Sequence, residues 1–263
     1  PPPPPQQQQQ QYHQQQQHQQ RRAKQQEIPL RFIRAAKGDI NGGRQRYQQT
    51  LQWRKEHGID RILYENFPNF ELIKRYYPHY FHFRGKQNEP IYIEKPAKMD
   101  LKAIKSNGVD VPALLRHYAM ITEFTWQFIE RDDFAKSIYI VDLDTIRVTD
   151  FVGDVVDFTR KASAFCGQHY PERAGYVFVI NVPAWFKLIW NVVKPMIDEV
   201  TLKKISILRG KKEIFKALSE RIPIHHIPPE YGGTSPPLGT APEERLLIDL
   251  MQHNSRVAAG EPV

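Results

Sequence analysis

The sequence predicts an α/β fold built on a mainly parallel sheet, and three observations carry that prediction. Short apolar runs rich in β-branched and aromatic residues recur at 91–93, 138–143, 176–180 and 205–208. Longer segments of helical period separate them, at 111–131, 152–165 and 184–193. Turn residues bracket the runs: Pro90 opens the first, and Gly175 and Pro183 bound the third. Strands that alternate with helices read as crossover units on a parallel sheet floored by those helices.

Residues 1–27 are a Pro/Gln-rich stretch with Arg21, Arg22 and Lys24 near its end. Such a composition cannot build a core, so a disordered tail with solvated charges is expected. From 28 to 62 the pattern is helical: Asp39 suits an N-cap, and Tyr47, Leu51 and Arg54 follow at helical spacing. The helix over 111–131 aligns Val111, Leu114, Leu115, Tyr118, Ile121, Thr122, Thr125 and Ile129 on one face. The next aligns Val152, Val155, Val156, Thr159 and Ala162. The run 176–180 reads as a strand covered on both faces.

The segment 184–193 is the most apolar. Its polar residues Lys187 and Asn191, with Lys194 following, form one narrow stripe. Trp185, Phe186, Leu188, Ile189, Trp190, Val192 and Val193 cover the remainder. A helix of this kind is buried in a core or meets lipid. It is too short to cross a bilayer, which needs roughly 20 apolar residues. Residues 234–263 begin as a Pro/Gly linker and are expected to be a linker or tail.

The chain has 263 residues and one cysteine, which fits one domain with tails in a reducing, cytoplasmic compartment. A lone Cys166 excludes an intramolecular disulfide or a cysteine-based metal cluster. No signal peptide or transmembrane run is present, and the chain opens on Pro1, as a fragment would. The net charge of +8 suits an anionic membrane surface and does not by itself exclude nucleic acid; no nucleic-acid partner is expected. The nucleophile elbow, phosphate-binding lysine loop and dinucleotide fingerprint are all missing. Residues 166–173 only approximate a cysteine-phosphatase loop, being one residue too long with Phe165 where that motif carries His. His79, His82, His225 and His226 lack further ligands at zinc spacing and read as surface or capping residues. Asp142 and Asp144 follow a strand but have no evident catalytic partner. A non-enzyme without metal or cofactor, in a monomeric state, is the expectation.

One set of motifs points further. Tyr170-Pro171-Glu172-Arg173 precedes a hydrophobic strand ending in Asn181; Lys194-Pro195 and Asp198-Glu199-Val200-Thr201 come after it, and Pro228-x-x-x-Gly232-Gly233 closes the body. Further upstream, a basic cluster at 37 precedes a helix ending in Trp53-Arg54. Over residues 28–233 this pattern resembles the CRAL-TRIO lipid-binding family of phosphatidylinositol-transfer-like proteins, with a partial N-lobe at 28–62 and the lipid-binding domain at 63–233. The resemblance implies an apolar pocket under a mobile gate helix, with a lipid as ligand. It implies headgroup contacts from Lys37, Glu172, Thr201 and Lys204. It also implies that Trp185, Phe186, Trp190, Lys187 and Lys194 meet the membrane when the gate opens. Ala36 stands where the family carries the first of two basic residues, so one phosphate contact is lost or supplied elsewhere. Glu172 and Lys204 also have ordinary readings, an ion pair with Arg173 or Lys161 and a solvated lysine at a strand entry.

Acyl chains gain about 0.8 kcal/mol per CH₂ buried from water. A lipid leaving one apolar phase for another gains little of that, so headgroup contacts select the cargo. A phosphoinositol needs a cation for phosphate and a carboxylate and small donors for its hydroxyls. The family's phosphatidylcholine pattern is kept here at Tyr92 and Ser137 and changed at Phe81 and Tyr139. Phosphatidylcholine is therefore not expected as the second ligand. The function expected is binding a phosphoinositide and transferring or presenting it at an anionic membrane surface. The alternatives are a carrier of another hydrophobic molecule of tocopherol type, or a non-transferring recruitment module of a larger protein.

Overall fold

The computed structural model describes residues 27–197 and 199–261; the tail expected at 1–27 lies outside them except for Glu27, as does Asp198. Two helices lead, α1 (Leu30–Ala35) and α2 (Ile40–Glu56). Asp39 caps α2 by accepting a hydrogen bond from the Asn41 amide at 3.0 Å. A 3₁₀ turn at Ile59–Tyr64, α3 (Phe70–Tyr76), β1 (His79–Arg84), β2 (Pro90–Glu94) and α4 (Leu101–Ser106) follow. Asp110 caps α5 (Val111–Glu123), which runs on as a π-helical turn over Phe124–Ile129. Then come β3 (Ser137–Asp142), α6 (Asp154–His169), β4 (Ala174–Ile180), α7 (Lys187–Val193), α8 (Glu199–Leu202), β5 (Ile205–Ile207), α9 (Lys211–Arg221) and α10 (Pro242–Ala258).

The five strands pair in chain order. β1 is antiparallel to β2, and the other three pairings are parallel. The α/β fold with a mainly parallel sheet is thus the one the sequence predicts. Each parallel crossover advances one strand in the same direction. Right-handed connections therefore put α5, α6 and α7 on one face and leave the other face to be covered by later chain. That later chain is α9 with the turns after it: Ile214, Leu218, Ile222, Ile227 and Tyr231 pack on Ile91, Ile93, Ile138, Ile140, Phe178 and Ile180. The alternate residues of the same strands, Tyr92, Tyr139, Val177 and Val179, point the other way. Tyr92 and Tyr139 are in register across β2 and β3, their rings stacked at 5.4 Å.

Several elements escape the sequence reading, among them α3, α4, α8 and α9, and two matter most for the site. β1 is an edge strand whose two histidines hide its apolar phase. Far from lying on the surface, His79 and His82 are buried. His79 Nδ1 meets the Tyr77 carbonyl at 2.7 Å and its Nε2 meets His117 Nε2 at 3.1 Å. His82 Nε2 meets Ser235 Oγ at 2.8 Å. Of the other pair, His226 Nδ1 meets the Arg84 carbonyl at 2.7 Å and His225 is exposed. The second missed element is α10, in the region expected as linker or tail. It packs along β1: Leu247 and Met251 enter the core, and Glu244 accepts from the Phe81 amide at 2.8 Å and pairs with Lys74. Asn254 donates to the Leu63 and Glu65 carbonyls at 2.8 and 3.0 Å, tying α10 to the N-terminal lobe. The turn before it depends on glycine. A Cβ on Gly233 would lie 2.1 Å from the Ile227 carbonyl oxygen.

Burial sets a pH limit. It lowers His117 to about 3 and His82 to about 4, and holds His79 well below the usual imidazole range. These rings stay neutral in the folded chain but take up protons on unfolding once the pH is below about 6.5. Stability is therefore full above that value and falls as the pH drops towards 3–4, by roughly 1.4 kcal/mol per pH unit for each such ring. Denaturant melts between pH 7.5 and 5 should show the decline, and His82→Asn should make its slope shallower. In the same melts at neutral pH, Leu247→Ala should cost about 2–5 kcal/mol; a loss near zero would mean that α10 is not part of the core.

Candidate functional site

The upper face of the sheet does not fill solidly. Between it and α5, α6 and α7 lies a cavity of ≈ 490 Å³, within the size range of small-ligand sites. Val141, Val177, Val179 and Ile205 form its floor, Ile121, Val155, Phe158 and Ala162 its side, and Phe186, Ile189, Trp190 and Val193 its cover. Ser163 Oγ donates to the Met196 carbonyl at 2.9 Å, joining the wall to the end of the cover.

The mouth is polar. Glu172 sits in the loop between α6 and β4 at φ +62°, and Lys37 in the turn after α1 at φ +56°. This left-handed region is uncommon for residues other than glycine and recurs at ligand sites. Glu172 pairs with Lys204 at 3.3 Å, both side chains mostly buried. Neither Arg173 nor Lys161 takes that role: Arg173 pairs with Asp133 at 3.4 Å and Lys161 with Asp157 at 2.8 Å. Thr201 lines the same end, as does Glu199, which faces Lys37 at 3.5 Å across solvent. Of the four headgroup candidates, Lys37, Glu172 and Thr201 line the cavity. Lys204 reaches the site through its ion pair with Glu172.

Two further cations stand at this end, neither of them a headgroup candidate from the sequence. Arg46, on α2, lines the cavity, donates to the Ala35 and Gly167 carbonyls at 3.2 and 2.8 Å, and buries its Nε without a partner. Arg173 donates to the Asp132 carbonyl at 2.7 Å and lies 4.2 Å over the Trp126 ring. Burial, aided by the charge of Arg31, lowers it to about 10. Arg46 falls in no motif, so only the tertiary structure brings it in; Arg173 belongs to the Tyr-Pro-Glu-Arg motif, and burial gives it this place.

A second polar group lies deeper. Tyr92, Ser137 and Tyr139, the possible second-ligand positions, line the cavity, while Phe81 belongs to the solid core. Ser137 is occupied with the Arg173 carbonyl at 3.4 Å. Beside the two tyrosines stands Glu94, buried and accepting from Tyr77 Oη at 2.7 Å. Burial raises its pKa, against the opposing effect of the Tyr139 and Tyr77 hydroxyls. Sequence alone gave a signal here: in Ile91-Tyr92-Ile93-Glu94, the glutamate shares the cavity phase of Tyr92.

The cover is shorter than the apolar run of sequence. Helix α7 starts at Lys187, after a turn closed by Phe186 N donating to the Pro183 carbonyl at 3.1 Å. Its three aromatics do not project to different sides. Phe186 and Trp190 both turn inward, ring centroids 6.1 Å apart, and Trp185 is half-buried against the Leu143 and Ile146 cluster. The outward apolar residues are Leu188 and Val192, 59% and 46% exposed, flanked by exposed Lys187 and Lys194. The helical turn places i and i+4 together, so the Phe186–Trp190 pair and the Leu188–Val192 pair take opposite faces.

No helix among the described residues is long and apolar enough to cross a membrane. Among the same residues no group of three or more His, Cys, Asp or Glu side chains is placed to hold a metal ion.

A parallel sheet with a hollow face, a polar mouth and a short amphipathic cover defines a carrier-type architecture, and comparison with known proteins agrees. Residues 74–233 match the family described as the CRAL/TRIO domain, and the chain belongs to that family. The Sec14 cytosolic factor of Schizosaccharomyces pombe is 31% identical over 213 residues, 78% of this chain and 73% of that protein. The SEC14 cytosolic factor of Kluyveromyces lactis is 32% identical over 214 residues, covering 78% and 70%. A phosphatidylinositol/phosphatidylcholine transfer protein of Arabidopsis thaliana, SFH9, is 29% identical over 191 residues, 69% of this chain and 33% of that protein. The crystal structure of Sfh5 superposes with a TM-score of 0.60 at 17% identity, covering 72% of this chain and 66% of that one, and shares the fold.

Cys166 offers a check on the cavity wall. Its thiol is 3.6 Å from Tyr118 Oη, and burial pushes it up to about 11. Alkylation by a small maleimide at pH 8 should be slow in the folded chain and fast after unfolding. Equal rates would place the thiol in solvent rather than in the wall.

Proposed function

We propose that the chain binds phosphatidylinositol in this cavity and transfers or presents it at membranes. The observation that carries the reading is the Glu172–Lys204 pair at the mouth of an apolar chamber, with Thr201 and Lys37 beside it. A phosphoinositol can replace each half of that pair in kind. Its phosphate takes the place of Glu172 at Lys204, and its hydroxyls donate to Glu172. Arg46 is well placed to supply the cation that Ala36 does not. Lys37 gives up little by turning to the phosphate, because its contact with Glu199 is solvent-exposed and such pairs contribute little. The names of the plant relatives, phosphatidylinositol/phosphatidylcholine transfer proteins, support the same cargo class. The names of the yeast relatives, cytosolic factors, support a cytosolic carrier that meets membranes transiently.

Helix α7 is the gate in this reading. Phe186, Ile189 and Trp190 contact acyl chains from inside. Leu188 and Val192 enter the interface from outside, and Lys187 and Lys194 lie near anionic headgroups, adding about 1 kcal/mol each.

Lys204→Ala and Glu172→Ala should each weaken phosphatidylinositol binding by about 1.5–3 kcal/mol, the value of one charged hydrogen bond, and should lower the melt without preventing folding, since each leaves a mostly buried partner charge unpaired. Normal transfer of labelled phosphatidylinositol by both variants would sink the assignment. Leu188→Ser with Val192→Ser should slow liposome exchange and leave the melt intact, since both side chains already face water. Phe186→Ala, by contrast, should destabilise the fold by about 3–5 kcal/mol. Unchanged exchange in the double serine variant would remove α7 as the membrane contact.

A further inference from the structure

The mouth loop between α6 and β4 is held at both ends. Glu172 sits in it at φ +62°, a conformation that residues other than glycine rarely adopt, so the surroundings must impose it. Downstream, Arg173 fixes the loop. Its guanidinium donates to the Asp132 and Ala135 carbonyls at 2.7 and 3.2 Å, and its carbonyl accepts from the Ser137 amide at 2.8 Å. Upstream, one face of α2 runs along the last turn of α6. Arg46 donates to the Gly167 carbonyl at 2.8 Å, and Gln168 Nε2 donates to Gln49 Oε1 at 2.8 Å. Thr50 Oγ1 meets His169 Nδ1 at 3.1 Å, and the Trp53 ring stacks on that imidazole at 4.0 Å and 11°. Arg54 donates to both oxygens of the buried Glu123 at 2.7 and 3.0 Å, and Tyr170 Oη donates to the same carboxylate. Positions 46, 49, 50, 53 and 54 share a helical face, and they grip 167, 168, 169 and 170 in order.

We propose that α2 is the positioning element of the headgroup site: Trp53 and Arg54, acting through His169 and Tyr170, set where the Glu172 carboxylate stands. This inference rests on the reading of Glu172 as a phosphatidylinositol contact. Neither Trp53 nor Arg54 lines the cavity, so their effect on the cargo passes through the loop. Only Pro171 separates Tyr170 from Glu172, and the fixed φ of proline leaves that link little freedom. A displacement of Tyr170 is therefore handed on to Glu172. The anchor itself is stiff. The Arg54 fork meets both oxygens of Glu123 in a planar match that a lysine cannot make, and Glu123 is buried at the end of α5. Apolar burial is non-directional and would be enough to prop α6. The α2 contacts are instead mostly hydrogen bonds and one flat ring stack, which fix position, and they end two residues before Glu172. A binding group is held in its productive geometry by this kind of supporting shell.

The test uses the full chain, stripped of lipid, and two probes of one cavity. Phosphatidylinositol needs the mouth, whereas diphenylhexatriene, an apolar fluorophore, needs only the chamber. Arg54→Lys should weaken phosphatidylinositol about three- to tenfold, as loss of one hydrogen bond does. It should leave diphenylhexatriene within about twofold, because no chamber wall changes. Trp53→Leu should give the same pattern, and Trp53→Phe, which keeps a stacking ring, should retain most of the affinity. In a Glu172→Gln background neither Arg54→Lys nor Trp53→Leu should weaken phosphatidylinositol further, since the group they position is gone. Should Trp53→Leu fail to fold, Arg54→Lys decides, because it keeps a cation beside Glu123. Equal loss of both probes overturns the proposal and leaves α2 as a support for the fold alone. So do losses that multiply undiminished in the Glu172→Gln background, or phosphatidylinositol affinity unchanged in Arg54→Lys and Trp53→Leu. These results defeat this inference alone, provided that Glu172→Gln by itself weakens phosphatidylinositol. Affinity unchanged by Glu172→Gln defeats the reading of the mouth, and this inference with it.

Discussion

A parallel sheet must be covered on both faces, and this chain covers them in two different ways. On one face the isoleucine row meets α9 and the turns behind it in a solid core. On the other the alternate row, Tyr92, Tyr139, Val177 and Val179, looks into a chamber. Both rows come from the same strands, so period-two alternation is what separates the rigid half from the hollow half. The cost of the hollow face is large in principle, because unfilled volume forfeits packing energy. The solid face and the α10 clamp on β1 supply the stability that lets the other face stay open.

The strand ends are fixed by a hub at Asp142. Its carboxylate accepts from Asn181 Nδ2 at 2.8 Å, from the Asp144 amide at 3.0 Å and from Tyr231 Oη at 2.8 Å, with Lys95 Nζ at 3.7 Å. It therefore joins β3, the end of β4, the loop after β2 and the closing Gly-Gly turn. Asn181, at φ +56°, turns the chain out of β4 towards α7. A catalytic reading of Asp142 is unnecessary: the residue holds the rigid end of the sheet against which the cover helix is mounted.

The parts of this arrangement legible in sequence are those with local periodicity or fixed motifs. β2, β3, β4 and β5, the crossover helices and the mouth loop at 170–173 fall in this class. β1 was not legible because His79 and His82 are buried polar residues satisfied by distant partners, Ser235 among them. Helix α10 was not legible as part of the domain because its value lies in contacts with residues some 160 to 190 positions away, as for Glu244 and Asn254. At the site, Glu172 and Lys204 were visible through motifs, and their mutual pairing was not. Arg46 and Glu94 were not singled out in the sequence, since a helical arginine and a strand-end glutamate are ordinary surface residues until burial is known.

The distribution of charge along the cavity follows from these constraints. Cations can be held at the mouth because water and paired carboxylates are near: Lys37 and Glu199 are both largely exposed, and Lys204 has Glu172. Deeper in, the walls are sheet and helix, and a free lysine there would be desolvated without relief. The inner pole therefore uses phenols and one carboxyl, groups that remain satisfied when neutral. The two ends of one chamber thus differ in charge, with paired ions at the mouth and hydroxyls and a carboxyl further in.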